Sequence, residues 1–122
     1  MSWDARVRAL DPIDPIRLLG IGRLAAGIPL EAPIRVEDWG YRHVPCDAAA
    51  AVGVSWDDGE GDESLTLDIQ RDGSPDMIEV VERIVFNVMH ELAIDGIASE
   101  WYDPQLRPTW TARPPMREEV TE

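Results

Sequence analysis

Residues 50–70 read AAVGVSWDDGEGDESLTLDIQ and contain two runs with a period of two. The residues assigned to the core face are Ala50, Val52, Val54 and Trp56 in the first run, and Leu65, Leu67 and Ile69 in the second. Small or polar residues lie between most of them. This alternation is typical of strands that bury one face. The two runs therefore predict an antiparallel hairpin with one face on the core.

The turn between the two runs is strongly acidic. Its carboxylates are Asp57, Asp58, Glu60, Asp62 and Glu63. Gly59 and Gly61 supply the backbone angles that a long turn needs. On the EF-hand pattern counted from Asp58, the glycine position holds Glu63 and the bidentate glutamate position holds Ile69, so specific calcium binding is not predicted. We interpret the segment first as a solvated turn and second as a surface for a basic partner.

A long amphipathic helix is predicted for residues 75–95. Ser74 is suited to cap it, Pro75 to open it, and Gly96 to follow its last turn. Its apolar residues at helical spacing are Met77, Val81, Ile84, Val85, Val88 and Leu92. Such a stripe is typical of a helix that packs one side on a core.

Phe86 projects from the opposite side of this helix, close to Arg83 and His90. A phenylalanine in such polar surroundings is buried either by another segment of the chain or by a partner. The sequence leaves both alternatives open, and it makes Phe86, Arg83 and His90 candidate interface residues.

Residues 1–13 are predicted to be irregular, and a shorter helix is predicted for residues 15–26. Asp14 can cap that helix and Pro15 suits its first position. The helix contains GIGRLA, which matches the G-x-G-x-x-A pattern of dinucleotide-binding proteins. That pattern requires a buried strand before it and a longer helix after it. We therefore interpret the segment as a helix packed through small residues, and we predict no cofactor.

Two further regions complete the predicted fold, which is a single α+β domain. Residues 33–45 predict one or two short strands with a bend at Trp39-Gly40-Tyr41, and residues 97–103 (IASEWYD) predict the last strand. An N-terminal helix would accompany an antiparallel or mixed sheet of about four strands packed on one long helix. Residues 1–103 would form this domain, and residues 104–122 a proline-rich, extended C-terminal arm.

The arm contains one aromatic residue, Trp110, between Arg107 and Arg113. Tryptophan and arginine are common anchors of protein interfaces. The three residues are therefore candidates for binding a neighbouring subunit. The alternative is an arm that folds back on its own domain.

The chain carries a net charge of −13, and all 11 of its basic residues are arginine. This charge disfavours non-specific binding to nucleic acid or anionic lipid. The one cysteine, Cys46, excludes an intramolecular disulfide. No signal-peptide pattern and no apolar run long enough for a membrane span occurs in the sequence. We predict no direct nucleic-acid partner and no membrane partner.

No catalytic motif is complete. His90-Glu91 begins the zinc-protease pattern, but Ile94 stands where the second histidine is required. His43 and Cys46 lie close together in the sequence without an obvious group to orient them as a nucleophile pair. We predict a protein without enzyme activity and without a bound metal.

The run VPCDAAAAVGVSWDDGEGDESLTLDIQRDGSPDMIEVVERIVFNVMHEL, residues 44–92, resembles the middle of tail-terminator (tail-completion) proteins of long-tailed bacteriophages. Those proteins typically show a proline-led start, an apolar strand, a polar turn, an alternating strand ending in arginine, and a long helix. In this chain Pro45 would mark the start and Arg71 the end of the second strand. The helix at 15–26 also fits the resemblance. After the long helix, IASEWYD and the arm replace the longer strand region of the family.

The resemblance implies a non-catalytic virion assembly protein that forms a ring at the head–tail junction. It would bind other protein subunits as a homo-oligomer or as part of a larger assembly, in the virion and the host cytoplasm. Its contacts would be the sheet edge, the surface around Phe86, and the C-terminal arm.

The alternative function is that of a small acidic inhibitor or immunity protein. Such a protein would occlude a basic nuclease or nucleic-acid-binding protein. Its partner surface would consist of Asp57, Asp58, Glu60, Asp62 and Glu63. Association would then be fast and sensitive to salt.

Overall fold

The structure is a computed structural model, and it describes residues 2–28, 32–37, 40–43, 51–56, 65–72, 77–103 and 107–114. The elements in chain order are β1 (Ser2–Ala9), α1 (Pro15–Ala26), β2 (Ile34–Glu37), β3 (Gly40–His43), β4 (Ala51–Trp56), β5 (Leu65–Asp72), α2 (Met77–Ile94), β6 (Ser99–Asp103) and β7 (Arg107–Thr111). The predicted α+β class is confirmed. The predicted strand number was wrong, because the described residues form seven strands rather than about four.

All of these strands belong to one sheet with the order β2-β3-β4-β5-β1-β6-β7, and every pair of neighbours is antiparallel. The predicted hairpin is confirmed as β4 and β5. Val52 lies opposite Ile69 and Val54 lies opposite Leu67. All four side chains are buried. The alternation in the sequence therefore identified the core face correctly.

The prediction that residues 1–13 are irregular was wrong for residues 2–9, which form β1. This strand lies inside the sheet, between β5 and β6. The described side chains of its core face are those of Ala5, Val7 and Ala9. Alanine has little preference for strands. A core face with two alanines therefore gave too weak a signal to be recognised.

Residues 33–45 supply two strands, β2 and β3. Gly40 and Tyr41 of the predicted bend belong to β3 instead, where they pair with Glu37 and Val36 of β2. Residues 38–39, which connect the two strands, lie outside the described residues.

Both helices pack on the same face of the sheet. Helix α1 contacts β3, β4 and β5, helix α2 contacts β1, β5 and β6, and the two helices contact each other. The prediction of a sheet packed on one long helix was therefore incomplete. The largest fully buried side chains between the layers are Trp101, Leu18, Leu19, Leu67, Ile69, Leu92, Val7, Val52, Val54, Val81, Val85 and Val88.

Helix α1 has the predicted bounds. The Asp14 carboxylate accepts a hydrogen bond from the backbone N–H of Ile16 at 3.0 Å, and Gly27 ends the helix with a φ of 73°. Gly22 faces the sheet, where an added Cβ would lie 2.8 Å from Leu67 Cδ1. The second glycine of GIGRLA therefore permits close packing of the helix on β5.

Helix α2 ends close to the predicted residue. Gly96 has a φ of 76°, and the N–H of Ile97 donates to the carbonyl of Leu92 at 2.9 Å. The predicted cap Ser74 lies outside the described residues. An ion pair between Arg17 and Asp95 connects α1 to the end of α2. The two helices therefore form one layer, and the described part of the chain places no helix on the opposite face of the sheet.

Candidate interaction surfaces

The first candidate surface lies on the side of α2 that faces away from the sheet. It consists of Arg83, Phe86, His90 and Ile94, and we call it the α2 outer surface. These residues recur at helical spacing opposite the buried positions of the same helix. All four are exposed; Phe86 is 43% and Ile94 65% accessible. Two apolar side chains on one polar helix face indicate a contact surface.

Phe86 and His90 contact each other on this surface. Their ring centroids are 6.3 Å apart and their planes differ by 10°. The rings belong to residues four positions apart, which are neighbours on a helix. This stacking covers part of Phe86 but leaves its outer side accessible. Of the two alternatives from the sequence, complete burial by another segment of the chain does not occur.

The second candidate surface is a cluster on the face of the sheet opposite α1 and α2. We call it the arginine–aromatic cluster, and it consists of Arg6, Arg8, Asp68, Glu100, Tyr102 and Trp110. It extends across β5, β1, β6 and β7, and arginines alternate in it with carboxylates and rings. None of these residues except Trp110 was singled out from the sequence, because β1 was not recognised.

Each arginine of the cluster has one acidic and one aromatic neighbour. Arg6 Nε lies 3.0 Å from Asp68 Oδ1, and its Cζ lies 5.9 Å from the centre of the Tyr102 ring. Arg8 pairs with Glu100, and its Cζ lies 4.1 Å from the centre of the Trp110 ring. The Arg6–Asp68 pair lies at the surface, where an ion pair contributes about 0–1 kcal/mol, whereas the Arg8–Glu100 pair is part-buried. Cation–π contacts contribute about 0.5–1 kcal/mol. The two arginines of the cluster balance its two carboxylates, although the whole chain is strongly acidic.

The C-terminal segment belongs to the sheet as far as the structure describes it. Strand β7 pairs with β6, and Trp110 lies 4.9 Å from Tyr102 between ring centres. Trp101 Nε1 donates a hydrogen bond to the carbonyl of Arg113 at 2.7 Å. Residues 107–114 thus fold back on their own domain, which was one of the two alternatives. The boundary drawn after residue 103 does not separate the sheet from an arm.

The contacts of Trp110 lead to a prediction about β7. Trp110→Ala is expected to lower the free energy of unfolding by about 1–2 kcal/mol, because it removes one aromatic pair and one cation–π contact. Urea denaturation followed by circular dichroism measures this change. Thr109→Ala is the matched control, since Thr109 is an exposed residue of the same strand. An equal effect of the two substitutions would show that the ring contacts do not stabilise β7.

The other candidate interface residues are placed less completely. Arg107 begins β7, and its side chain lies outside the described part. Arg113 follows β7 and is exposed, and its described role is the backbone hydrogen bond to Trp101. Ile94 was overlooked as an interface residue; its spacing of eight from Phe86, two helical turns on, was the signal that could have identified it.

The acidic residues of the alternative partner surface, Asp57, Asp58, Glu60, Asp62 and Glu63, lie outside the described residues, as does Cys46. His43 is the last residue of β3. Both residues of the His90-Glu91 pair are exposed. Within the described ranges, no group of three or more histidine, cysteine, aspartate or glutamate side chains is arranged to hold a metal ion.

Comparison of the sequence with protein-family models gives no match, and comparison with curated proteins gives no match either. Among the described residues, neither helix has the length and apolar character needed to cross a membrane.

Proposed function

We propose that the protein is a non-catalytic assembly protein of the tail-terminator kind. It binds further copies of itself to form a ring, and the ring joins the tail of a long-tailed bacteriophage to the head. The observation that carries this proposal is the α2 outer surface, where Phe86 and Ile94 are exposed on the helix face opposite the core.

The shape of this surface suits a contact between proteins. Phe86, stacked on His90, presents one accessible side of an aromatic ring, and aromatic residues are enriched at interfaces. Arg83 and His90 supply polar groups around the apolar side chains. A ring requires a heterologous contact, in which this surface meets a different surface of the next copy.

The order of elements adds support. In residues 44–92 the resemblance implies a hairpin followed by a long helix, and β4, β5 and α2 follow in that order. Helix α2 packs on β5 and leaves its opposite side accessible. A helix that contributes to the core through one side and to a contact through the other is suited to a small subunit of a larger assembly.

Phe86→Asp tests the proposal. At the low protein concentrations of gel filtration, we expect the substitution to reduce the mass in solution from that of an oligomer to that of a monomer, because a carboxylate would be buried against the neighbouring subunit without a partner. Light scattering after gel filtration measures the mass. The melting temperature should change little, since Phe86 lies outside the core.

Leu24→Asp is the matched control, because Leu24 is an exposed apolar residue of α1 with 70% accessibility. It makes the same chemical change on the other helix and should leave the mass unchanged. A wild-type protein that is monomeric at every concentration tested would contradict self-assembly. Truncation after residue 103 is not a suitable test, because it removes β7 from the sheet.

The acidic inhibitor remains the second candidate on account of the net charge of −13. Electrostatic steering would speed its association with a basic partner, and the association rate constant would fall steeply as the ionic strength rises. A ring held by the α2 outer surface would resist salt, because apolar burial is not screened. Measuring the mass at low and high salt therefore separates the two candidates.

A further inference from the structure

Strand β2 lies at one edge of the described sheet and has unusually apolar exposed residues. Ile34 is 44% and Val36 is 74% accessible. Both lie on the face of the sheet that bears the helices, since Val36 pairs with Tyr41, which in turn pairs with the buried Val54. Helix α1 contacts β3 but not β2 in the described residues. The edge strand therefore extends beyond the helix layer.

An exposed edge strand is a template for pairing with another strand. The other edge strand, β7, contains Pro108, which has no backbone N–H to donate. Strand β2 contains no proline. Of the two edges, β2 is the one suited to extend the sheet.

The sequence of β2 is complementary to itself in one register. A two-fold axis perpendicular to the sheet pairs two β2 strands antiparallel and matches residues of the same face. With the axis at Val36, the two Val36 residues lie opposite each other. Arg35 of each copy then lies opposite Glu37 of the other copy, which gives two pairs of opposite charge. With the axis at Arg35, two arginines lie opposite each other. Opposite charges across a strand pair stabilise it and like charges destabilise it, by about 0.2–1 kcal/mol per pair.

We propose that β2 pairs with β2 of a second copy of this chain about a two-fold axis at Val36, so that one sheet continues through both chains. The contact is isologous and therefore closes as a dimer. It rests on the β2 edge alone and does not depend on the α2 outer surface or on ring formation. Because the paired segment is short, the dimer is weak and forms at high protein concentration.

Charge reversal tests the register. Arg35→Glu and Glu37→Arg should each weaken the dimer about tenfold in Kd, since each places like charges opposite each other at two positions. The double variant restores opposite charges at both positions and should return to within about threefold of the wild-type Kd. Sedimentation equilibrium of the Phe86→Asp background measures this dimer without contributions from the α2 outer surface. Equal weakening in the double variant, or no dimer in the wild-type β2 sequence, would overturn the proposal.

Disulfide trapping tests the position of the axis. In a Cys46→Ser background, Val36→Cys should form a cross-linked dimer on mild oxidation, because opposite residues in an antiparallel pair lie within about 4.5–5.5 Å between Cα atoms. Arg35→Cys is the control and should cross-link poorly, because the proposed register sets residue 35 opposite residue 37. Efficient trapping at 35 with little at 36 would place the axis elsewhere and overturn the register, and trapping at neither position would overturn the contact.

Discussion

Trp101→Ala is expected to lower the free energy of unfolding by about 3–5 kcal/mol, as is usual for the loss of a buried aromatic side chain. Trp101 is 1% exposed and lies opposite Val7 of β1 and Thr111 of β7. Its removal leaves a cavity beside the centre of the sheet and deprives the Arg113 carbonyl of its donor. Urea denaturation followed by circular dichroism measures the change.

Trp101→Phe separates the effect of the cavity from the effect of the lost hydrogen bond to the Arg113 carbonyl. Phenylalanine retains most of the apolar volume but lacks the indole N–H, so we expect a loss smaller than that of alanine by at least about 1 kcal/mol. Equal losses for the two variants would mean that the hydrogen bond to residue 113, rather than the filling of the core, dominates. A loss below about 1 kcal/mol for Trp101→Ala would contradict the burial of the side chain.

Gly40→Ala is expected to destabilise the protein by about 3 kcal/mol, at the upper end for overpacking. An added Cβ at this position would lie 1.8 Å from the carbonyl oxygen of Val54, which is part of the backbone of β4. A backbone atom inside a strand pair cannot move aside as a flexible side chain can. The strand β3 must therefore shift away from β4, and the melting temperature should fall.

Gly20→Ala is the matched control, with the same chemical change and the opposite expected sign. Gly20 lies within α1, and an added Cβ meets no atom within 4 Å. Alanine at such a helical position should stabilise the protein by about 0.5–1 kcal/mol, because glycine loses more backbone freedom on folding. Destabilisation of similar size in both variants would show that the contact with Val54 is not the cause at Gly40.

The parts of the fold that the sequence predicted are those with strong local patterns. Helix α1 has an aspartate cap, a proline start and a glycine end, and its bounds were predicted without error. The hairpin of β4 and β5 combines two alternating runs with a turn, so its partner strands are neighbours in the chain. In both cases a few adjacent residues determine the structure.

The two strands that were missed lack such local patterns. Strand β1 has two alanines among the described side chains of its core face, and it is stabilised by partners far away in the chain. Strand β7 contains Pro108, which is unfavourable inside a sheet but acceptable at an edge. Whether a segment is an edge strand depends on tertiary structure, so its sequence alone could not decide between a strand and an arm.

The candidate surfaces also differ in whether local sequence or long-range strand pairing determines them. The position of Phe86 on the outer side of α2 followed from helical spacing and is confirmed by its exposure. The neighbours of Trp110 could not be predicted, because Arg8 belongs to the unrecognised β1 and Tyr102 to a strand whose pairing was unknown. A surface formed by one helix or strand can be predicted from the sequence. A surface formed by several strands can be predicted only when the order of the strands in the sheet is known.

The central position of β1 has a consequence for the order of folding during synthesis. This strand leaves the ribosome before either of its partner strands, because Arg6 lies opposite Asp68 of β5 on one side and opposite Tyr102 of β6 on the other. Both partners are distant from β1 in the sequence. Pairing between such distant segments is slow, because a long loop must close before any contact forms. In the nascent chain β1 therefore stays without its sheet partners until β5 has emerged, and its pairing with β6 comes later still.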